Sequence, residues 1–263
     1  MPSFLQSLSQ TVLNAIFPPR CLICSAFYDH DHGQASTGPD VSNLLADHTA
    51  SYFCKSCREG IIPITSPFCS KCGLPFVSRQ GESHTCSECL LEKRYFRKAR
   101  AFGVYDGGLM EAIHLLKYGK KSSLAMPLSA FARETFFQFW DVNDIDLIVP
   151  VPLHVKRLRE RGFNQALILI RRWAKQERIP FDGLTLYRNR YTEPQATLNR
   201  IERWKNIKGA FSLRHPGRIK GYKVLLVDDV YTTGATVNEC ARVLMKAGAE
   251  FVDILTLARA AVA

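Results

Sequence analysis

The 263-residue sequence has no long uninterrupted run of apolar residues. No segment reaches the roughly 20 residues that a helix needs to cross a bilayer, so no transmembrane segment is predicted. The N-terminal region also lacks the basic stretch and the small-residue cleavage site of a secretory signal. We therefore expect a cytoplasmic protein. Apolar residues at every fourth position from Phe4 to Ile16 predict a short amphipathic helix that packs against the protein itself.

Basic residues are scarce in the first third of the chain. Residues 1–92 hold 5 Lys and Arg against 8 Asp and Glu, or −3, whereas residues 93–263 hold 30 against 16, or +14. The chain is long enough for two domains with this boundary, each with its own core. This asymmetry suggests that the basic part meets an anion, either a phosphorylated metabolite or a nucleic acid. Charge alone favours the alternative, a solvated basic surface.

Cysteine is equally scarce in the second part, where Cys240 lies in an amphipathic helical pattern that predicts a buried side chain. The other eight cysteines form CxxC pairs, namely Cys21/Cys24, Cys54/Cys57, Cys69/Cys72 and Cys86/Cys89. A CxxC turn directs two thiolates at one ion, and two such turns complete a tetrahedral zinc site. Disulfides, or a thioredoxin-like redox pair, explain this pattern less well in a reducing cytosol.

Four CxxC pairs therefore predict two structural zinc sites in residues 1–92. Sequential pairing joins the first pair to the second and the third to the fourth, but interleaved pairing also fits the spacing. A polar insert separates Cys24 from Cys54. Its histidines are expected to be loop residues, because the cysteines already complete both sites; they are His30, His32 and His48.

Helical patterns and short apolar runs alternate from Tyr95 onward. Periodicity predicts helices at 108–118, 124–140, 163–177 and about 235–247, the last with Gly248 as its C-cap. Strands are predicted at 147–151, 184–187, 223–227 and 251–257. This alternation is typical of an α/β fold with a mostly parallel sheet. Ligands of such sheets bind at the carboxyl ends of the strands.

The segment KVLLVDDVYTTGAT, residues 223–236, places two acids where a predicted strand ends. Asp228 and Asp229 follow the apolar run, and TTGAT then turns into a helix. Main-chain N–H groups of the turn and the helix dipole form a cradle for phosphate. A P-loop is excluded because GxxxxGK[ST] is absent. Adjacent acids beside a phosphate cradle favour a phosphorylated sugar, with or without a metal ion.

VLLVDDVYTTGAT closely resembles the phosphoribosyl pyrophosphate (PRPP) signature of type I phosphoribosyltransferases. Over nearly its full length the chain also resembles the ComF (GntX-like) family of competence-associated proteins. The segments that carry this resemblance, besides the CxxC pairs, are YDGGLMEAIHLLKYGKK (105–121), VPVPLHVKRLRERGFNQA (149–166) and TEPQATLNRIERWKN (192–206). The resemblance implies a type I phosphoribosyltransferase fold preceded by a small double zinc ribbon. The insert between the first two CxxC pairs departs from the family pattern.

The resemblance also implies roles for the acids and the turn. Asp228 and Asp229 would contact the ribose hydroxyls and support Mg²⁺. The turn would hold the 5-phosphate, through Thr232, Thr233, Gly234, Ala235 and Thr236.

Two further segments have implied roles. PLHVKRLRERG resembles the pyrophosphate loop, and its basic residues would meet a second anion; they are Lys156, Arg157, Arg159 and Arg161. For any one of them, a solvated helix face is the alternative. Residues 188–206 correspond to the flexible loop that closes over the reaction centre in this fold. The residues matching the family there are Arg190, Thr192, Gln195, Arg203 and Asn206.

The implied function is binding of PRPP with Mg²⁺ and, for a transferase, displacement of pyrophosphate by an amine or base nitrogen. No segment predicts how such an acceptor is recognised. The family's link with DNA uptake implies a second hypothesis, a non-catalytic adaptor for single-stranded DNA and DNA-uptake proteins, or a ligand sensor. Positive charge and aromatic residues such as Tyr191 and Trp204 would serve DNA binding. Trp173 is expected to pack inward.

Overall fold

The structure is a computed structural model, and it describes residues 18–28, 49–78, 80–119, 121–192 and 200–261. The expected helix at 4–16 and the three histidines of the insert lie outside the described residues. Among those described, no helix combines the length and the apolar character needed to cross a membrane.

A four-stranded parallel sheet forms the centre of the molecule, in the order β1-β6-β5-β2. Its strands are β1 (Ala99–Val104), β2 (Leu147–Pro150), β5 (Lys223–Tyr231) and β6 (Phe251–Arg259). A separate antiparallel pair consists of β3 (Leu186–Arg188) and β4 (Phe211–Leu213). The predicted parallel α/β fold is confirmed.

Helices cover both faces of this sheet. The described helices are α1 (Lys55–Glu59), α2 (Ser87–Leu91), α3 (Gly107–Tyr118), α4 (Ala125–Phe139), α5 (Val155–Arg161), α6 (Gln165–Gln176), α7 (Arg200–Ile207) and α8 (Ala235–Lys246). Those that pack directly on the sheet include α4, α6 and α8. Leu225 and Val227 of β5 face the cluster that includes α3, α4 and α6, whereas Val224 and Leu226 face the cluster that includes α8. Strands buried on both faces explain the continuous apolar run of β5. Trp173 and Cys240 are buried, as expected.

Three elements differ from the expectation. β5 continues beyond Val227 to Tyr231 because β6 pairs with it as far as Arg259, so the two acids lie inside the strand. β1 was not predicted, since its sequence ARAFGV lacks a continuous apolar run. Helix α5 occupies most of the segment expected as a pyrophosphate loop, and only residues 152–154 and its C-cap Gly162 lie outside the helix.

Two expected boundaries also shift. Helix α7 occupies the end of the expected flexible loop. Ala247 rather than Gly248 is the C-cap of α8, and Gly248 follows it with a φ of 91°.

The cysteine-rich part packs along the free edge of β1. Ile64 N–H donates to Phe102 O at 2.9 Å, and Val104 N–H donates to Ile62 O at 2.8 Å. Residues 62–64 therefore cover a strand edge that would otherwise expose unpaired main-chain groups. Cys21 and Cys54 share a hydrophobic cluster with α3 and α4. The domain boundary after residue 92 stays a prediction.

Candidate ligand site and two cysteine clusters

The eight CxxC cysteines form two clusters, in the sequential pairing. The first cluster is Cys21, Cys24, Cys54 and Cys57, and the second cluster is Cys69, Cys72, Cys86 and Cys89. Within each cluster the sulfur atoms lie within 4.8 Å of one another. A tetrahedral zinc ion with Zn–S bonds of about 2.3 Å requires S···S distances of about 3.8 Å. The Cys24–Cys54 and Cys72–Cys86 sulfur distances are 3.7 and 3.8 Å, so the residues fit two four-cysteine zinc sites.

Main-chain donors support the thiolate form in the second cluster. Cys69 Sγ accepts from the N–H groups of Cys72 at 3.4 Å and Cys86 at 3.3 Å. A hydrogen bond from the Cys72 side chain, together with these N–H groups, lowers the pKa of Cys69 to about 4. A deprotonated sulfur is the form that binds a metal ion.

The acids of the signature line a cavity of about 480 Å³ at the carboxyl end of the central sheet. Residues from α3, α5, β5 and the segment after β3 contribute to its wall. They include Tyr105, His114, Lys117, Tyr118, Arg157, Arg161, Arg188, Thr192, Arg203, Asp228, Asp229, Thr232 and Thr236. Acids, cations and a helix N-terminus therefore line one enclosure.

Lys117 is a site residue that the sequence does not predict. Its Nζ donates to Asp229 Oδ1 at 2.8 Å, and the two side chains are 14% and 15% exposed. Burial lowers the pKa of Lys117, but the charge of Asp229 outweighs this and raises it. Lys117 is therefore charged and covers one of the two acids. Its position within YDGGLMEAIHLLKYGKK was the only available signal.

The ionised form of Asp228 is destabilised by its surroundings. Its Oδ1 accepts from Asp229 N–H at 2.9 Å. Burial, and next the charge of Asp229, raise the pKa of Asp228 from 3.8 to about 7, while Lys117 opposes the change. An ionised Asp228 is thus unfavourable in the folded protein without a ligand, which is typical of a residue kept for binding.

We expect Asp228→Asn to stabilise the fold, by an amount that grows with pH. Between pH 3.8 and about 7 the folded wild type holds a proton that the unfolded chain has released, so its free energy of unfolding falls as pH rises. The Asn variant lacks this loss. The gain in stability over wild type should reach on the order of 4 kcal/mol above pH 7, since each unit between 3.8 and about 7 corresponds to about 1.4 kcal/mol, and should disappear below about pH 4. Urea unfolding of both proteins across this range measures it, and a pH-independent difference would contradict the assignment.

The side chain of Tyr231 packs against the turn that follows β5, at Gly234. Gly234, the N-cap of α8, has a φ of 78°, and a Cβ there would collide with the Tyr231 hydroxyl. Glycine is therefore required for both conformation and space. The first N–H groups of a helix have no intrahelical partner, so α8 presents donors beside Thr232 and Thr236.

Gly234→Ala is expected to cost far more than Gly209→Ala. Gly209 also has a positive φ, of 71°, but a Cβ there meets nothing within 4 Å. The Gly209 variant should lose only the conformational cost, about 1 kcal/mol. The Gly234 variant must also displace Tyr231, so we expect at least twice that loss and a disordered turn. Chemical unfolding of the two variants gives the comparison, and equal losses would contradict this packing.

The predicted basic residues separate into two groups. Arg157 and Arg161 line the cavity, at the i, i+4 spacing that places two side chains on one helix face. Arg161 donates to Gln165 Oε1 and to the Tyr118 hydroxyl, both at 3.2 Å. Lys156 and Arg159 are exposed and do not line it. The position of each residue around helix α5 decides which side chains face the cavity, and the charge of the residues does not reveal it.

The segment from 188 to 206 also contributes unevenly. Thr192 and Arg203 line the cavity, whereas Arg190 donates to the carbonyls of Asn206 and Lys208 at 2.8 and 3.0 Å and holds the end of α7. Gln195 lies outside the described residues. Arg188 was not predicted for the site. It lines the cavity, contacts Thr192, and has a buried Nε without a hydrogen-bond partner among the described residues.

An aromatic wall forms the side of the cavity away from the turn. Tyr105 Oη lies 2.7 Å from His114 Nε2, and the rings of His114 and Tyr118 meet edge to face at 6.0 Å. The guanidinium of Arg161 lies 5.0 Å from the Tyr118 ring centre. These residues form a partly apolar surface next to the acids. The sequence did not indicate this wall, because it combines the end of a strand with one helix.

Comparisons with known proteins agree with this structure. Residues 45–90 match the family model of the double zinc ribbon domain, and residues 161–262 match that of the phosphoribosyl transferase domain. The fold and the site thus define a phosphoribosyltransferase-like protein with an N-terminal double zinc ribbon. The chain belongs to the ComF family of competence and DNA utilization proteins, as the resemblance implies.

Three relatives illustrate this membership. DNA utilization protein YhgH of Salmonella typhimurium is 32% identical over 209 residues, which cover 78% of this chain and 89% of the relative. Competence protein F of Haemophilus influenzae is 31% identical over 79% of this chain and 90% of its own. Competence protein ComFC of Bacillus subtilis is 27% identical over 91% of this chain and 94% of its own.

Proposed function

We propose that this protein binds PRPP with Mg²⁺ in the cavity at the carboxyl end of the sheet. The observation that carries the proposal is the convergence of Asp228 and Asp229, the turn at the start of α8, and Arg157 with Arg161 on a single 480 Å³ cavity. Each group suits one part of the ligand: hydroxyls, 5-phosphate and pyrophosphate. The cysteines, which form two four-cysteine clusters instead of disulfides, support the cytoplasm as its location.

The residues would divide the ligand's charge among them. The helix N-terminus binds the 5-phosphate, while Arg157 and Arg161 bind pyrophosphate oxygens with their planar forks. Asp228 and Asp229 accept hydrogen bonds from the ribose hydroxyls. Bound magnesium would neutralise the pyrophosphate as it leaves. Lys117, released from Asp229 when the ligand arrives, would supply a further cation.

For catalysis, the aromatic wall suits a planar nitrogen acceptor. As the nitrogen attacks the anomeric carbon, the carbon–oxygen bond to pyrophosphate breaks and the leaving group keeps the electron pair. One ring of this wall would stack against a heteroaromatic acceptor and a neighbouring ring would meet it edge to face, because the Tyr105 and His114 rings are inclined by 59° and the His114 and Tyr118 rings by 84°. Pyrophosphate release, assayed with a panel of nucleobases and amines, tests transfer; tight PRPP binding without release for any acceptor would leave a binding protein.

Calorimetric titration of PRPP into the zinc-loaded protein, with and without Mg²⁺, tests the binding proposal. We expect one site per chain and affinity that depends on the metal. Heat indistinguishable from dilution, with the protein folded and its zinc bound, would reject it. Ribose 5-phosphate as a second titrant separates the phosphate cradle from the pyrophosphate contacts, because it lacks the pyrophosphate group.

Single-stranded DNA binding is a second candidate, favoured by an exposed aromatic residue at the cavity mouth. Tyr191 is 40% exposed, and Lys156 Nζ lies 4.8 Å from the centre of its ring. His154 meets the same ring edge to face at 5.4 Å. An exposed ring with cations near its face, here Lys156 and Arg157, is typical of base stacking in single-strand sites. The names of the relatives, which refer to DNA utilization and competence, point the same way.

We expect Tyr191→Ala to weaken oligonucleotide binding by about fivefold to a hundredfold at low salt, because one stacked base contributes about 1–3 kcal/mol. Tyr222→Ala is the matched control, since Tyr222 is 42% exposed and lies just before β5, at the opposite end of the sheet from the cavity. Fluorescence anisotropy at several salt concentrations measures both variants. Affinity that is flat with rising salt, or equal losses in the two variants, would reject this candidate.

A further inference from the structure

Arg259 contacts both the second cysteine cluster and the turn Thr232–Thr236. It is the last residue of β6 and only 2% exposed. Its Nη2 lies 3.9 Å from Cys72 Sγ, within hydrogen-bond distance for sulfur. Its Nη1 donates to Thr232 O at 2.7 Å and to Ala260 O at 2.6 Å. One buried guanidinium therefore touches a zinc ligand and the first residue of the turn.

The same side chain also supports the turn through Tyr231. The Arg259 guanidinium lies 4.3 Å from the centre of the Tyr231 ring, a cation–π distance. The Tyr231 hydroxyl in turn fills the space where a Cβ of Gly234 would lie. Contacts are thus continuous from Cys72 through Arg259 and Tyr231 to Gly234.

The contact between Arg259 and Cys72 bears on how the positive charge of Arg259 is balanced. Among the described residues Arg259 forms no ion pair with a carboxylate. A buried guanidinium requires a countercharge, because burial of an unpaired charge is costly. A zinc ion with four thiolates carries a formal charge of −2, and Cys72 Sγ lies 3.9 Å from Arg259. The zinc-loaded second cluster would therefore supply the countercharge for Arg259.

We infer that Arg259 is a positioning residue through which zinc in the second cluster orders the turn Thr232–Thr236. Without that zinc, the cluster loses its fixed geometry, and Arg259 has no defined partner on that side. The consequence for PRPP affinity rests on the proposed function. Coupling of two sites is reciprocal, so zinc binding would strengthen PRPP binding by the same factor by which PRPP strengthens zinc binding.

Hydrogen–deuterium exchange of the zinc-loaded protein tests the inference without PRPP. The readout is the peptide spanning Asp228–Asn238, compared among wild type, Cys72→Ser and Arg259→Gln. We expect at least tenfold faster exchange of this peptide in both variants, with zinc still present in the first cluster. Cys24→Ser is the matched control, because its cluster does not contact the turn and its loss should leave this peptide unchanged. Unchanged exchange in Cys72→Ser would overturn the inference.

Arg259→Lys separates charge from geometry. Lysine keeps the charge beside Cys72 but lacks the planar fork that reaches Thr232 O as well. We expect near-wild-type zinc affinity in a chelator competition, together with fast exchange in the turn. If Arg259→Lys behaved as wild type in both measurements, the fork would have no positioning role.

The zinc affinity of the wild type, measured with and without PRPP, separates this inference from the proposal that the protein binds PRPP. No change on adding PRPP, with a zinc-dependent turn, would reject PRPP binding and leave the Arg259 contact standing.

Discussion

Replacement of both Asp228 and Asp229 by Asn is expected to weaken Mg–PRPP binding by at least about a hundredfold. Each carboxylate accepts charge-assisted hydrogen bonds worth about 1.5–3 kcal/mol, and a tenfold loss corresponds to about 1.4 kcal/mol. Asn keeps the shape and one acceptor oxygen but cannot balance a divalent cation. Fold loss is not the expected cause, because Asp228→Asn removes an unfavourable buried charge. Titration calorimetry gives the affinity, and urea unfolding confirms the fold.

The single variants Asp228→Asn and Asp229→Asn separate the contributions of the two acids to binding. Asp229→Asn also breaks the 2.8 Å ion pair with Lys117, whereas Asp228→Asn leaves it in place. Weakened binding in Asp228→Asn is therefore the cleaner sign of direct ligand contact. Glu250→Gln is the charge control, because this exposed residue lies just before β6, at the opposite end of the sheet. Wild-type affinity in the double variant would mean that the signature does not bind PRPP.

Loss of one cysteine ligand is expected to release one zinc ion and unfold the part of the ribbon around it. Zinc contributes on the order of 10 kcal/mol to the folding of small four-ligand domains, more than the net stability of most domains. Cys54→Ser removes a ligand of the first cluster, and Cys86→Ser removes a ligand of the second cluster. Metal analysis after gel filtration should give two zinc ions per wild-type chain and one per variant chain.

Cys240→Ala provides the control for this experiment. Cys240 is fully buried in α8 and is in neither cluster, so its variant should keep both zinc ions. We expect only the moderate loss of stability that follows removal of a small buried side chain. Fewer than two zinc ions in the wild type, or an unchanged count in Cys54→Ser, would contradict the two-site assignment.

Local patterns predicted much of this structure. CxxC spacing predicts the clusters because a ligand pair three residues apart is a local geometry. Sequential pairing needed the fold, since the distances between pairs depend on how the chain returns. The strand–acid–turn order around Asp228 likewise has a local cause, and the structure places both acids and the turn at one cavity.

The contacts that the sequence does not predict are long-range or depend on helical phase. Lys117 meets Asp229 across 112 residues, and no local pattern reports such a pair. Four basic residues between 156 and 161 look equivalent in sequence, yet the helix turns only Arg157 and Arg161 toward the cavity. Arg190 matches the family pattern but is engaged by two carbonyls of the chain itself.

The hydrogen bonds from residues 62–64 to β1 bear on whether the two halves of this protein can exist apart. A chain beginning at Tyr95 would present β1 as an open strand, with its main-chain donors and acceptors facing solvent. Such a strand offers a template to any second copy, so the isolated half would tend to self-associate. The metal-binding ribbon is thereby also a cap against aggregation, a role independent of any ligand.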